Sequence, residues 1–329
     1  GSIGLPKLYQ RNYFYNWQYA LDWDFTKNLN VNFNASQNRI VRNFLNDDDL
    51  SQDNSIGVWD GFFDVGVPNT HMQTLQLNYK LPFDKIPALK FIQSNYSFTG
   101  DFQWQKGSEI LRNLEDIPNI GNTVQNSSAH QINNTLNMSR LYNYLNLKKR
   151  KAKGDAIAQK LQRGQDRRQT TTARASLSSK SENKGEEDAK DKLSIGDHFY
   201  NFGISLLTMV DRIQLNYTEN RGTFIPGFTH DVGFVGTLTP SPLFTFGGQG
   251  DVRQISARNR WLTEYQEFNE QYMATKTEQL DFNASVKLIP GMTLDIIANR
   301  MYSDTYTENF RVDRETLQYQ SLTPNTFGN

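Results

Sequence analysis

Residues 13–36 read YFYNWQYALDWDFTKNLNVNFNAS, and their alternation decides the fold. Tyr13, Tyr15, Trp17, Tyr19, Leu21, Trp23 and Phe25 fall on one side, Asn16, Gln18, Asp22, Asp24 and Thr26 on the other. After Lys27-Asn28 the pattern resumes, with Leu29, Val31, Phe33 and Ala35 against Asn30, Asn32, Asn34 and Ser36. A period of two belongs to an extended chain whose side chains alternate between faces. The segment therefore predicts two long antiparallel strands joined by a tight turn.

Working outward, the same alternation recurs over Leu75–Leu81, Tyr96–Trp104, Ile132–Met138, Ile213–Tyr217, Leu280–Leu288 and Leu294–Ala298, the last continuing into Tyr302 and Tyr306. Gly100 falls on the apolar side of its run and predicts a kink. Eight strands result, an all-β antiparallel fold. Short connections at Lys27-Asn28, 82–87 and 289–291 lie at one end of the strands, long ones at the other. The expected organisation is five strands in 1–140 with loops at 44–71 and 106–122. A charged, flexible or partly helical insertion occupies 141–195, with one short helix expected near Gly154–Gln162. Three strands in 196–312 carry a long loop at 222–272, and 313–329 is a tail or the start of a further loop.

Composition narrows the function. Lys plus Arg and Asp plus Glu are both 35, so no global charge surplus points to nucleic acid or an acidic tail. The absence of cysteine removes disulfides and thiolate chemistry. Mean hydropathy is −0.67, and no run approaches the roughly 18 apolar residues of a membrane helix. The start, GSIGLPKLYQ, has no export-signal pattern, and the chain reads as a segment of something larger. Residues 141–195 contain 14 Lys/Arg and 7 Asp/Glu, a polar, charge-dense stretch unsuited to a packed core. It lacks the interleaved aromatics of a nucleic-acid site, so no nucleic-acid partner is expected. His71, His130, His198 and His230 are far apart, and Asp47-Asp48-Asp49 lacks the glycine and terminal glutamate of a calcium loop. GxSxG, GxxxxGK and HExxH are missing. No catalytic, cofactor or metal residue is expected, and the chain is not read as an enzyme.

Half-buried soluble sheets also alternate, so length and ring placement carry the choice of environment. Twelve steps from Tyr13 to Phe25 span about 40 Å at roughly 3.3 Å per residue. Tilted about 40°, such a strand crosses the roughly 25 Å apolar band of an outer membrane. Aromatic residues gather towards both strand ends, as interface-seeking rings do. The expected lipid-facing residues are Tyr13, Trp17, Trp23, Phe33, Phe98, Trp104, Phe282 and Tyr302. The expected lumen-facing residues are Asn32, Gln76, Asp101, Asn137, Asn216 and Asn283. A polar inner face suits a wide aqueous barrel, and eight strands with open edges need further strands in lipid. The loops at 44–71 and 222–272 are expected to fold over the outer mouth. A soluble cell-surface β-sandwich binding protein is the alternative on the residues alone.

The stretches IQSNYSFTGDFQWQKG at 92–107 and GNTVQNSSAHQINNTLNMSRLYN at 121–143 resemble the SprA/Sov family, giant outer-membrane translocons of the Bacteroidetes type 9 secretion system. Further similarity lies in NYTENRGTFIPGF at 216–228, FTFGGQGDVR at 244–253 and NRWLT at 259–263. The resemblance spans roughly 90–310, and family members are several times longer. It implies a wall segment of a barrel of about 36 strands whose lumen passes folded client proteins with a type 9 C-terminal signal, gliding-motility adhesins among them. The implied partners are outer-membrane lipid, the rest of the translocon barrel, a PorV-type shuttle barrel and a plug protein. A TonB-dependent-type transporter barrel is the other membrane reading, but no plug or TonB-contact box is apparent.

Overall fold

The computed structural model describes residues 11–43, 65–107, 120–150, 194–233, 236–289 and 291–328, with side chains described from Phe14 to Val41 in the first of these. The alternating runs form one antiparallel sheet of nine strands in strict sequence order. They are β1 (Arg11–Thr26), β2 (Leu29–Asn43), β3 (Val67–Leu81), β4 (Ile92–Gln105), β5 (Asn122–Asn137), β6 (Val210–Phe228), β7 (Gln271–Ile289), β8 (Met292–Val312) and β9 (Tyr319–Gly328). Lengths reach 21 residues in β8, against about 5–6 in ordinary soluble sheets. The sheet is open. β1 has no outer partner among the described residues, and β9 covers only Asp304–Val312 of β8, leaving Met292–Ser303 as an edge.

Among the described residues four α-helices punctuate the strands: α1 (Met138–Tyr144), α2 (Ile195–Leu207), α3 (Pro242–Thr245) and α4 (Arg253–Arg258). Asn137, expected to line a lumen, ends β5 and caps α1, its side chain accepting from the Arg140 amide. An Asn at that position satisfies a free helix N–H, so its role is a boundary. Residues 195–207, assigned to the end of the insertion and the start of strand six, are helical because their apolar residues recur at helical rather than strand spacing.

Two further corrections concern strand extent. Residues 313–329 are not simply a tail, since Tyr319–Gly328 is a strand paired with β8. It escapes an alternation search because Pro324 interrupts it, a residue tolerated there because β9 is an edge. β6 continues through Phe228, so the long connection starts at Thr229 rather than 222. The Asp47-Asp48-Asp49 loop, most of the 106–122 loop, the 151–193 part of the insertion and its expected helix lie outside the described residues.

Candidate functional site: the two faces of the sheet

The register places the odd and even runs on opposite faces. On the ring-bearing face, one row runs from Trp17 through Gln37, His71, Trp104 and Val124 to Ile225. That row lies at the long-loop end, and the β6–β7 connection packs down on it as a cover. Phe102, Trp104, Val124, Ile225 and Phe228 from the sheet meet Phe244, Val252, Ala257 and Leu262 from the cover in one buried cluster. Trp104 is fully buried, its Nε1 donating to the His230 carbonyl at 2.9 Å. It is therefore not lipid-facing: burial beside a protein acceptor satisfies its indole N–H. The cover lies against this face rather than over a channel mouth.

Side chains on the sheet hold the cover by its backbone. Asn126 Nδ2 donates to the Phe244 and Gly248 carbonyls at 3.0 and 2.8 Å, Gln73 Nε2 to Thr245 at 2.7 Å, and Gln37 Nε2 to Gly233 at 3.0 Å. These amides occupy positions that alternation assigns to the apolar side, and a buried carbonyl without a donor is costly. Gly100 is the seat of the cover rather than a simple kink. A Cβ there would stand 2.2 Å from the Phe246 carbonyl oxygen, and one on Gly247, at φ +88°, would stand 2.4 Å from Gly100 Cα and 2.8 Å from the Ser127 carbonyl oxygen.

Arg253 of α4 fastens the far side. Its Nη1 lies 2.5 Å from Glu308 Oε1 and its Nη2 2.8 Å from Asp251 Oδ2, with the guanidinium 4.9 Å over the Tyr272 ring. Glu308 is fully buried and also accepts from Tyr319 and Tyr306 hydroxyls at 2.6 and 2.7 Å. The hydrogen bond from Arg253 holds the Asp251 carboxyl below the usual carboxylate range, and Asp251 in turn raises Arg253.

Nearer the short turns much of the same face is bare, although Ala284 and Val286 of β7 are buried. Leu21, Trp23, Phe25, Tyr79, Leu280, Leu288, Leu294 and Ile296 are exposed. Of the residues expected to face lipid, Trp23 is exposed there, while Phe98 and Phe282 are partly exposed. Phe33 stands at the border, 6.0 Å from Phe246 of the cover. Trp17, above the border, stacks on Tyr19 and donates Nε1 to Gln37 Oε1 at 3.0 Å. Tyr302 is exposed but stands in a charged patch, with Lys276 Nζ 6.0 Å from its ring and 2.5 Å from Glu278. The side chain of Tyr13 lies outside the description.

The border between bare apolar surface and covered or charged surface runs obliquely. Followed straight across the hydrogen bonds, Phe33 leads through Leu75, Gly100, Ser128, Arg221 and Lys276 to Asp304. On β8 the bare apolar run of this face ends at Ala298, before Arg300 and six residues nearer the turn. Six residues are about 20 Å and six strand spacings about 29 Å, an incline of about 35°. The turn ends step likewise. Leu29 registers with Arg300, yet β8 begins at Met292, about 26 Å lower.

The opposite face carries polar ladders. Asn30 Nδ2 donates to Asp22 and Asp24, Asn34 Nδ2 to Asn32 at 2.6 Å, and Asp101 accepts from Thr74 and Ser127 at 2.7 and 3.1 Å. Asn32 pairs in register with Gln76, Asn216 with Asp281, and Asn283 with Gln214. Hollows of 430 Å³ (by Asp101, Gln103 and Gln125) and 380 Å³ (by Asn30, Asn78 and Asn95) open on this side. Ile297, Met301 and Phe327 also project here and are exposed. Alternation does not single them out, because they interrupt rather than extend the polar run. Among the described residues no group of His, Asp or Glu is placed to hold a metal, and no helix is long and apolar enough to cross a membrane. Compared with protein-family models and with curated proteins, the sequence matches none.

Proposed function

We propose that this chain forms part of the wall of a protein-conducting channel in the bacterial outer membrane, of the kind used in type 9 secretion. The observation that carries the reading is the slanted band. A layer of lipid is flat, so strands that cross it at an angle bare their apolar side chains in a stripe oblique to the hydrogen-bond rows. The incline of about 35° falls at the tilt of transmembrane barrel strands, about 35–45°. A soluble sheet has no such reason to slant its apolar surface.

The rest follows from the two faces. Open strand edges require further strands in lipid, where each backbone group needs a partner, so the chain joins the rest of a larger barrel. The amide and carboxylate ladders line a hydrated passage whose short polar side chains already bond one another, leaving little to grip a folded client. Nineteen residues of β7 rise about 48 Å at a 40° tilt, beyond the roughly 25 Å apolar band. The covered upper half then stands above the membrane. The resemblance to the SprA/Sov family supplies the client class and the PorV-type shuttle and plug partners.

Adjacent residues on opposite faces supply the test. Phe282→Arg places a charge on the bare band, at a cost of about 2–4 kcal/mol at mid-depth, and barrel assembly and client export should fail. Asn283→Arg should leave both in place. Equal loss from the two substitutions would refute the orientation. A soluble cell-surface β protein is the second reading, favoured by the cover, which buries part of the ring-bearing face as a sandwich layer would. Solubility without detergent separates the two: the channel chain aggregates, the surface protein stays dispersed.

A further inference from the structure

Helix α2 reads IGDHFYNFGISLL. At about 100° per residue, Ile195, Phe199, Phe202 and Leu206 fall within roughly 60° of one another. They are 77%, 74%, 69% and 59% exposed. The other side of the helix is occupied. Arg150 Nη1 donates to Asp197 Oδ1 at 2.9 Å, the Arg150 amide donates to Asn201 Oδ1 at 2.7 Å, and Asn201 Nδ2 returns a bond to the Arg150 carbonyl. The Arg150 guanidinium lies 4.4 Å over the Tyr200 ring. The polar side is thus bound to a basic run that includes Lys148 and Lys149, and a stripe of four large apolar residues is left bare.

The helix leads directly into the turn end of β6. Lys287 N donates to the Met209 carbonyl at 2.7 Å and Lys287 Nζ pairs with Asp211 at 3.1 Å, tying this junction to the end of β7. Ile289, Met292, Tyr144 and Leu145 are exposed at the same end of the sheet. On β7 the apolar series from Leu280 to Leu288 rises only about 20 Å at a 40° tilt, short of the roughly 25 Å band. Something at the turn side has to supply the remainder.

We propose that α2 lies flat in the headgroup layer of the turn-side leaflet, its Ile195–Phe199–Phe202–Leu206 stripe buried in phospholipid and its basic flank against lipid phosphates. Interfacial helices have this form, an apolar stripe sunk about 5–10 Å with Lys/Arg beside it. The stripe is about 17 Å long and continuous in character with the bare band, while its only acid, Asp197, is neutralised by Arg150. This proposal rests on the outer-membrane reading above.

The chain has no cysteine, so single labels are clean. Phe199→Cys, Leu206→Cys, Asp197→Cys and Phe282→Cys, each carrying a bimane, are made in the chain as part of its assembled barrel, with any cysteine outside these 329 residues replaced by serine. The proteins are reconstituted into phosphatidylethanolamine–phosphatidylglycerol vesicles brominated either near the headgroup or deep in the acyl chain. Positions 199 and 206 should lose at least about half their fluorescence to shallow bromines, with 197 unaffected and 282 quenched by deep ones. If 199 and 206 are quenched no more than 197 while 282 is quenched, the helix is covered by protein, whether a second copy or another chain, or stands in water. The proposal then falls and the channel reading stands. If 282 is also unquenched, both fall.

Discussion

The two halves of one face use similar side chains for opposite ends. Trp104, at the loop end, is buried under the cover, whereas Trp23, nearer the turns, is exposed. Each sits in an alternating strand on the ring-bearing side, so strand pattern does not separate them. What separates them is company. Around Trp104 the sheet presents Gln73, Asn126 and Asn122, donors for a backbone that descends onto them. Around Trp23 it presents Val31 and Phe25, which offer nothing to a loop. Amides on an apolar face mark a protein partner, and their absence marks a surface that needs no hydrogen bonds from its neighbour.

The sharpest break of that comparison is truncation of the two tryptophans. Trp104→Ala should destabilise the cover by about 3–5 kcal/mol and open 229–270 to protease, whereas Trp23→Ala should leave cleavage there unchanged. Equal protease sensitivity in both would mean the halves are not distinct. Arg253→Ala strands the buried Glu308 carboxylate, which keeps two tyrosine donors, and should cost about 3 kcal/mol; pulse proteolysis of the α4 region would read it. Gln73→Ala removes one donor to Thr245 and should cost about 1 kcal/mol in the same assay.

The smallest effect is one of pH. Asp251 has its carboxyl held below the ordinary value of 3.8 by Arg253, so folding favours the charged form. That contribution is complete above the ordinary value and fades as the pH falls from there through the depressed one. Protease protection of the cover should therefore decline below about pH 4, and Asp251→Asn should flatten the decline. A decline of the same slope in Asp251→Asn would assign it elsewhere.

Much of the fold follows from alternation because each strand advertises its own two faces. Tyr13–Ser36 specifies a hairpin without reference to anything else, and Leu280–Leu288 and Leu294–Ala298 do the same. β9 is different: TLQYQSLTPNTFG at 316–328 has weak alternation and a proline, and only the free edge of β8 makes it a strand. Helix α2 is legible in the sequence, since Ile195, Phe199, Phe202 and Leu206 recur at helical spacing, but all of it except Ile195 falls in the stretch that alternation further along assigns to strands. Asn137 shows the limit of residue type alone, because an Asn on the polar face of β5 serves equally as the cap of α1.

The amino-acid order alone determined that the chain makes long antiparallel strands with one ring-bearing and one amide-bearing side, because side-chain alternation is a local property of extended backbone. Which part of the ring-bearing side stays bare was decided only in three dimensions. The cover comes from residues more than a hundred positions away from Phe102 and Trp104, and the slant of the bare band exists only once register sets strand against strand. Both depend on long-range packing, for which a local pattern has no term.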